Sequence, residues 1–137
     1  MIRLTLAIAA AAVLSGCGNP ACTQPCAQVR PQYPTAGFAV VVTENDRAVT
    51  VREGQKIELV LHAKPGMSDW GGVNVDDTTV LRAVPTGIAA ARGVTIAGYE
   101  AVRPGSATIR ATATPLCSPG QACPAFAMIF EVTVTVT

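Results

Sequence analysis

The chain has 137 residues, a length that fits one domain with short additions. Half of its residues are apolar, only 14% are charged, and the formal net charge is +1. The few charged residues form no basic stripe and no run of like charge. The composition therefore argues against nucleic-acid binding, which depends on clustered Lys and Arg.

The N-terminus has the pattern of an export signal. After Arg3, residues 4–14 (LTLAIAAAAVL) form an apolar run. This run is shorter than the roughly 20 residues of a membrane-spanning helix, but it has the length of a signal-peptide core. It leads directly into the string LSGC, whose last residue is Cys17. This string resembles the bacterial lipobox.

The lipobox resemblance implies that residues 1–16 are a signal peptide and that Cys17 carries a diacylglyceryl group. Two or more acyl chains, such as palmitate, give stable anchoring where one gives only marginal binding. We therefore predict a lipid-anchored protein of the cell membrane that faces outside the cytoplasm. An ordinary secretory signal followed by a coincidental Cys is the alternative.

Four cysteines remain once Cys17 is assigned to the lipid: Cys22, Cys26, Cys117 and Cys123. An even number in an exported protein indicates two disulfides, for which three pairings exist. We favour one bridge between Cys117 and Cys123, which closes the loop LCSPGQACP, and one between Cys22 and Cys26. The rival pairing joins the N-terminal segment to that loop.

A metal or redox role for these cysteines is not supported by their spacing. Cys22 and Cys26 are separated by three residues, not by the two residues of the usual redox motif. The single histidine, His62, cannot complete a common zinc or copper ligand set. We predict that the protein has no metal and no cofactor.

Residues 17–36 are predicted to be a tether between the lipid and the domain. Pro20, Pro25, Pro31 and Pro34 lie in this segment, and proline at such density blocks helix and favours extended chain. A first strand pinned to the domain by a disulfide is the alternative interpretation of the same segment.

From Gly37 onward, short runs of strand-forming residues alternate with turn signals, and we assign residues 37–137 to one domain. The predicted strands are residues 38–43, 48–52, 57–63, 78–84, 94–102, 106–114 and 126–136. About seven strands at roughly ten-residue spacing, without an amphipathic helix, predict an all-β, immunoglobulin-like β-sandwich.

Alternation within the strands predicts which side chains enter the core. In residues 57–63 the odd-numbered positions are apolar, whereas Glu58 and His62 lie on the other face. The last strand is the clearest, with Phe126 and every second residue up to Val136 apolar, so we expect it to lie centrally. Pro104 and Gly105 predict a type II turn, and residues 89–91 fit either a helical turn or a loop.

Residues 48–136 resemble bacterial immunoglobulin-like domains and, among these, the chagasin family of cysteine-peptidase inhibitors. The resemblance is carried by VTVREGQKIELVLHA, DDTTVLRAV, YEAVRPGSATIRATA and FEVTVTV, with Tyr99 and the turn at Arg103 in family-like positions. It implies a sandwich that binds a peptidase through three loops at one end.

Two of those loops depart from the family pattern. Where the family has an Asn-Pro-x-Thr-Gly-Tyr type of loop, this chain has AKPGMSDWGG, in which only Pro65 and Trp70 are similar. The Arg-Pro-Trp type of loop before the last strand is replaced by LCSPGQACPAF. Peptidase inhibition is therefore the alternative and not the primary functional prediction.

No group of residues predicts catalysis. The sequence contains no G-x-S-x-G, Walker-type or H-E-x-x-H string, and strand parity places His62 on an exposed face. Asp69, Asp76 and Asp77 could suggest calcium, which takes several oxygen ligands, but a polar turn explains them more simply. We predict that the protein is not an enzyme.

Trp70 is the only tryptophan, and the sequence leaves its role open. It could anchor a sandwich core. The glycines Gly66, Gly71 and Gly72 point instead to an exposed loop, where Trp often dominates binding energy. With Met67, it is our candidate contact site.

The primary functional prediction is a lipid-anchored, non-enzymatic envelope domain that binds another envelope protein or the cell wall or plays a structural role. The alternative is a chagasin-type inhibitor of papain-like cysteine peptidases. Inhibition requires that the loops around residues 66–72, 89–95 and 117–124 cluster at one end and project together. A third loop folded flat by its disulfide would argue against it.

Overall fold

The computed structural model describes residues 34–137, which form two four-stranded sheets. The predictions for the signal peptide, Cys17, Cys22, Cys26 and most of the tether lie outside these residues. The strands are β1 (Val40–Thr43), β2 (Ala48–Val51), β3 (Lys56–His62), β4 (Gly71–Val75), β5 (Leu81–Val84), β6 (Val94–Ala101), β7 (Gly105–Ala113) and β8 (Met128–Val136). Across residues 34–137, no helix is long and apolar enough to cross a membrane.

The first sheet has the order β1-β3-β6-β5 and the second the order β2-β8-β7-β4. β1 pairs in parallel with β3, and β2 in parallel with β8, so the chain changes sheet at the β1–β2 connection. The predicted all-β sandwich is confirmed. It has one strand more than expected, because residues 71–75 form β4 at the edge of the second sheet.

The core lies between the two sheets and follows the predicted alternation. In β7, Ala107, Ile109, Ala111 and Ala113 are buried. In β8, every second residue from Phe130 to Val136 is buried, and β8 lies between β2 and β7, as its pattern predicted. Phe126 was wrongly assigned to the same apolar face. It precedes the first residue of β8, follows Pro124 closely and is 54% exposed.

The outer face of the first sheet is covered where alternation predicted exposure. Glu58 points to that face, as strand parity indicates, yet it is only 2% exposed. Its carboxylate accepts hydrogen bonds from the backbone N–H (2.8 Å) and the hydroxyl of Thr35. A Cβ at Gly98 would lie 2.7 Å from the carbonyl oxygen of Val84 and 3.1 Å from the ring of Phe38, so a glycine here lets both lie close to the sheet. The chain before β1 thus packs on β3 and β6.

The connections between strands lie at two ends of the sandwich. Residues 44–47, 63–70, 85–93 and 114–127 connect strands at one end, which we call the loop end. Residues 52–55, 76–80 and 102–104 connect strands at the other, which we call the opposite end. Residues 89–91, which the sequence left undecided, are an irregular part of the 85–93 loop.

The predicted type II turn at Pro104 and Gly105 is wrong. These residues connect β6 of the first sheet to β7 of the second, and these two strands do not pair with each other. Gly105 is the first residue of β7 and has a φ of 153°. A type II turn needs a φ near +80° at its glycine. The glycine has a packing role instead, because a Cβ here would lie 2.8 Å from Val80 Cγ2.

Candidate protein-binding site at the loop end

Strand pairing brings three loops to one surface. The last residue of β3, His62, pairs with the first of β6, Val94, so the 63–70 and 85–93 loops leave the first sheet side by side. In the second sheet Ala113 pairs with Met128, so both arms of the 114–127 loop start from adjacent strands. The predicted clustering of these loops at one end is present.

Hydrogen bonds join the 63–70 loop to its neighbour in the first sheet. The N–H of Ala63 donates to the carbonyl of Gly93 at 2.7 Å. The hydroxyl of Thr95 donates to the carbonyl of Trp70, also at 2.7 Å. The first bond joins the 63–70 loop to the 85–93 loop, and the second fixes the other end of the 63–70 segment to β6.

The 63–70 loop is also bound to the 114–127 loop. The N–H of Leu116 donates to the carbonyl of Gly66, and the N–H of Ser68 donates to the carbonyl of Thr114, each at 2.8 Å. Ser68 Oγ accepts from the N–H of Thr114 at 3.1 Å. The 63–70 loop thus connects the other two across the gap between the sheets.

Pro65 and Gly66 form the turn at the tip of the 63–70 loop. The N–H of Met67 donates to the carbonyl of Lys64 at 3.0 Å, and Gly66 has a φ of 79°. These values match a type II turn, in which proline presets the first central φ and glycine takes the positive one. The ring of Pro65 and the positive φ of Gly66 thus fix the path of the loop at its tip.

Trp70 is buried, which decides between the core anchor and the exposed loop residue that the sequence left open. It is 5% exposed, its ring lies 6.2 Å from that of Phe130 in an edge arrangement, and Nε1 donates to the carbonyl of His62 at 3.0 Å. Gly71 and Gly72, which suggested a mobile loop, start β4. The indole thus anchors the loop to the core, and Met67 is half-buried. A binding role for Met67 and Trp70 stays a prediction.

The disulfide between Cys117 and Cys123 is present, with Cα atoms 5.6 Å apart, as the sequence predicted. All residues from 116 to 127 are exposed. Among the described residues, the hydrogen bonds made by residues 117–127 stay within the loop itself, such as that from the N–H of Gln121 to the carbonyl of Ser118. The bridge therefore closes the loop without folding it flat on the sandwich.

Exposed apolar side chains are concentrated at the loop end. The described residues include five large ones: Ile88 (44%), Val102 (37%), Leu116 (67%), Phe126 (54%) and Ile129 (70%). All except Val102 lie in the loops of this end or in the second residue of β8. The sequence analysis did not identify these four residues as contacts. The uncharged stretch from residue 114 to residue 127 was the available signal.

Two surface cavities lie at different ends. One of about 150 Å³ at the loop end is bounded by Trp70, Met128 and Ile129 together with Arg47 and Lys64. The other, of about 350 Å³, lies at the opposite end beside the ion pair of Arg82 and Glu100. Neither contains a nucleophile next to a base, which a hydrolytic centre needs.

His62 lies at the surface, with Nδ1 3.4 Å from the Glu44 carboxylate. The acidic residues that raised the question of calcium serve turns and strand ends. Asp76 accepts from the N–H of Thr108 at 2.7 Å, and Asp77 accepts from the N–H of Thr79 at 2.8 Å. The bond from Thr108 lowers the pKa of Asp76. The pKa of Asp77 is lowered by the hydroxyl of Thr79, which also donates to it, and by the N–H of the same residue. Residues 34–137 contain no cluster of three His, Cys, Asp or Glu side chains that could hold a metal ion.

Comparison with known proteins bears on the fold. The chain matches no protein-family profile and no curated protein sequence. Among solved structures it resembles the cysteine protease inhibitor EhICP2 from Entamoeba histolytica, with 18% identity and a TM-score of 0.50, covering 73% of this chain and 97% of that one. The fold is chagasin-like. Amebosin is a second match, with 21% identity, a TM-score of 0.43 and coverage of 74% and 100%.

The likeness to EhICP2 concerns the fold and not the sequence of the loops. The match covers 97% of the inhibitor chain and 73% of this one. At this low identity the likeness does not extend to the loop sequences, and the chemistry of the surface follows from this chain's own residues.

Proposed function

We propose that the domain inhibits papain-like cysteine peptidases by binding with its loop end. The observation that carries the proposal is the joining of three loops into one surface that presents exposed apolar side chains. The likeness to EhICP2, which is described as a cysteine protease inhibitor, supports it. This alternative is better supported than the primary prediction of an envelope-binding module, and it agrees with the prediction that the protein is not an enzyme.

Such an inhibitor acts by occupying a cleft. The hydrogen bonds of Gly66, Ser68 and Ala63 to the neighbouring loops fix the surface before binding. A surface that is already ordered loses less conformational entropy on association, which favours affinity. Bound to the peptidase, the three loops would fill the active-site cleft and keep substrate out. No covalent step is involved, because binding depends on a shape that fits the cleft and on apolar contacts with its walls.

The loop sequences define how this inhibitor would differ from the family pattern. Trp70, the aromatic residue in the first family-like loop, holds the loop to the core and leaves the surface to other side chains. Pro65 and Gly66 set the loop's shape by a type II turn. The contacts therefore come from residues that the family motifs do not specify.

Titration of papain tests the proposed activity. The protein is purified as residues 18–137 in oxidised form, and papain is activated and freed of reductant beforehand, because thiols would open the Cys117–Cys123 bridge. We expect stoichiometric inhibition with an inhibition constant below about 1 μM and no effect on trypsin. Full papain activity at a large excess of the protein contradicts the proposal.

We also propose that the protein acts at the cell surface, anchored by lipid on Cys17. The support is the sequence alone: the apolar run of residues 4–14 and the LSGC string. Metabolic labelling with a palmitate analogue tests it. We expect the full chain to be labelled and to fractionate with membranes, whereas Cys17→Ser removes both properties. Equal labelling of the two chains contradicts the anchor.

A further inference from the structure

We infer that the 114–127 loop makes the principal contact with the peptidase, through Leu116 and Phe126. This inference rests on the proposed function and assigns the main contact to a different loop from the one containing Met67 and Trp70. Leu116 and Phe126 are 67% and 54% exposed. An apolar side chain gains free energy on binding in proportion to the area that it removes from water, at about 25 cal/mol per Å².

The other two loops offer less apolar surface. In the 63–70 loop Trp70 is buried and Met67 is half-buried against the core. The 85–93 loop contributes Ile88, which is 44% exposed. A side chain that is already buried in the free protein has little area left to bury against a partner. The 114–127 loop therefore has the largest apolar contribution to make.

The loop is also held in place at its base. The N–H of Leu116 is bound to the carbonyl of Gly66 in the neighbouring loop. The disulfide joins Cys117, the next residue, to Cys123, three residues before Phe126. Both arms thus stay close between the disulfide and the last strand pair, Ala113 with Met128. This restraint lowers the entropy that Leu116 and Phe126 lose when a partner orders them.

The loop's chemistry defines the partner surface that it fits. Residues 114–127 contain no charged side chain, whereas the adjacent 44–47 loop contains Glu44, Asp46 and Arg47. Burying an uncharged loop avoids the desolvation cost of ions. The fitting partner is an apolar wall of the peptidase cleft, and neither an acidic nor a basic surface complements it. Because screening acts on charged contacts, we expect the factor by which substitution of Leu116 or Phe126 raises the inhibition constant to change little with salt.

Paired substitutions test the inference by papain inhibition. Leu116→Ser and Phe126→Ser are each expected to raise the inhibition constant at least about tenfold, as binding hot spots do. The matched control is Val102→Ser, because Val102 is an exposed apolar residue at the opposite end, and we expect it to leave the constant within about twofold. Met67→Ala tests the rival loop and is expected to act like the control.

The outcomes separate the inference from the proposed function. Unchanged inhibition by both serine variants, or a larger loss from Met67→Ala, overturns the inference while the proposed function stands. An unmodified protein that fails to inhibit papain overturns both. Thermal denaturation of each variant confirms folding. It is expected to be unaffected by the substitutions of Leu116, Phe126 and Val102, whose side chains are exposed, whereas Met67→Ala removes a half-buried side chain and is expected to lower the melting temperature somewhat while the protein stays folded.

Discussion

The two ends of the sandwich stabilise their loops by different means. At the loop end, the 114–127 segment is uncharged, closed by a disulfide and rich in exposed apolar side chains. At the opposite end, the connections are organised by ionic and polar contacts. There, Asp77 accepts from Thr79, and Arg103 Nη2 donates to the hydroxyl of Thr79 at 2.6 Å.

The loop end exposes apolar side chains, whereas the opposite end exposes charged and polar groups, and burial has different effects on the two. At the opposite end Asp77, Arg82, Glu100 and Arg103 already have hydrogen-bonding partners within the protein, and covering charged groups of this kind would cost free energy. The apolar groups at the loop end gain by being covered. The proposed association at the loop end therefore agrees with the distribution of exposed apolar side chains between the two ends.

The largest expected effect is the loss of the anchor at the loop end. We expect Trp70→Ala to lower the free energy of unfolding by about 3–5 kcal/mol, because it leaves a cavity beside Phe130 and removes the donor to His62. Urea denaturation followed by circular dichroism measures it. Phe126→Ala, at an exposed aromatic of the same end, is the control and is expected within about 0.5 kcal/mol. Equal losses would contradict the assignment of Trp70 to the core.

At the opposite end, the close approach of two segments gives the next effect. Gly105→Ala is expected to destabilise by roughly 1–3 kcal/mol, because its Cβ would meet Val80 Cγ2 at 2.8 Å and its φ is positive. Chemical denaturation provides the measurement. Gly71→Ala is the control, since a Cβ there meets nothing within 4 Å. If both variants unfold at the same denaturant concentration, Gly105 has no packing role.

Removal of the disulfide is expected to affect binding at the loop end as well as stability. The double variant Cys117→Ser, Cys123→Ser is expected to lose about 2 kcal/mol of stability, as the short closed loop implies. It should also inhibit papain less well, because Leu116 and Phe126 lose their restraint. Denaturation and inhibition assays measure the two effects.

Changing Cys22 and Cys26 to serine is the control for the disulfide. That variant should leave papain inhibition unchanged if the two bridges are independent. Loss of inhibition in the control would indicate that the N-terminal cysteines act on the loop.

The smallest expected effect is the response of the opposite end to acid. The hydrogen bonds from Thr79 lower the pKa of Asp77 below its ordinary value of 3.8. A carboxyl with a lowered pKa in the folded state adds stability above the ordinary value, and this is lost as pH falls through the lowered pKa. Melting temperatures across the acid range should therefore fall less in Asp77→Asn than in the unmodified protein.

Thr79→Val tests the same hydrogen bond by changing the donor instead of the carboxylate. It removes the hydroxyl donor and should move the loss of stability towards the ordinary pKa of the Asp77 carboxyl. Identical acid profiles for all three proteins would show that these hydrogen bonds do not contribute. Papain inhibition, which depends on the loop end, should be the same in both variants above the acid range.

The sequence predicted the strands whose side chains alternate and missed the one whose side chains are small. β7 and β8 were found because apolar and polar residues alternate over their whole length. β4 was missed because it starts with Gly71 and Gly72, which carry no apolar side chain to form a pattern. Phe126 fitted the alternation of β8 but precedes its first residue, Met128. Alternation does not show at which residue the pairing of β8 with β7 begins.

The burial of Glu58 and the composition of the loop surface depend on contacts that a sequence pattern does not contain. Parity placed Glu58 on the outer face correctly, but its cover is supplied by Thr35, a residue far away in sequence. The clustering of three loops depends on which strands pair across the sheet. The resemblance to the chagasin family implied that clustering, whereas the burial of Trp70 and the exposure of Leu116 appear only once the loops are packed.

The parallel pairing of β1 with β3 has a mechanical consequence. β1 runs from the point where the chain enters the sandwich towards the loop end, and four residue pairs join it to β3. Tension between the N-terminal segment and a partner held at the loop end would run along these strands. Their hydrogen bonds would be loaded together in shear, and the Thr35 contacts to Glu58 would be loaded before them. Under such a load, β1 would be sheared along β3 and would not be peeled away from it one hydrogen bond at a time.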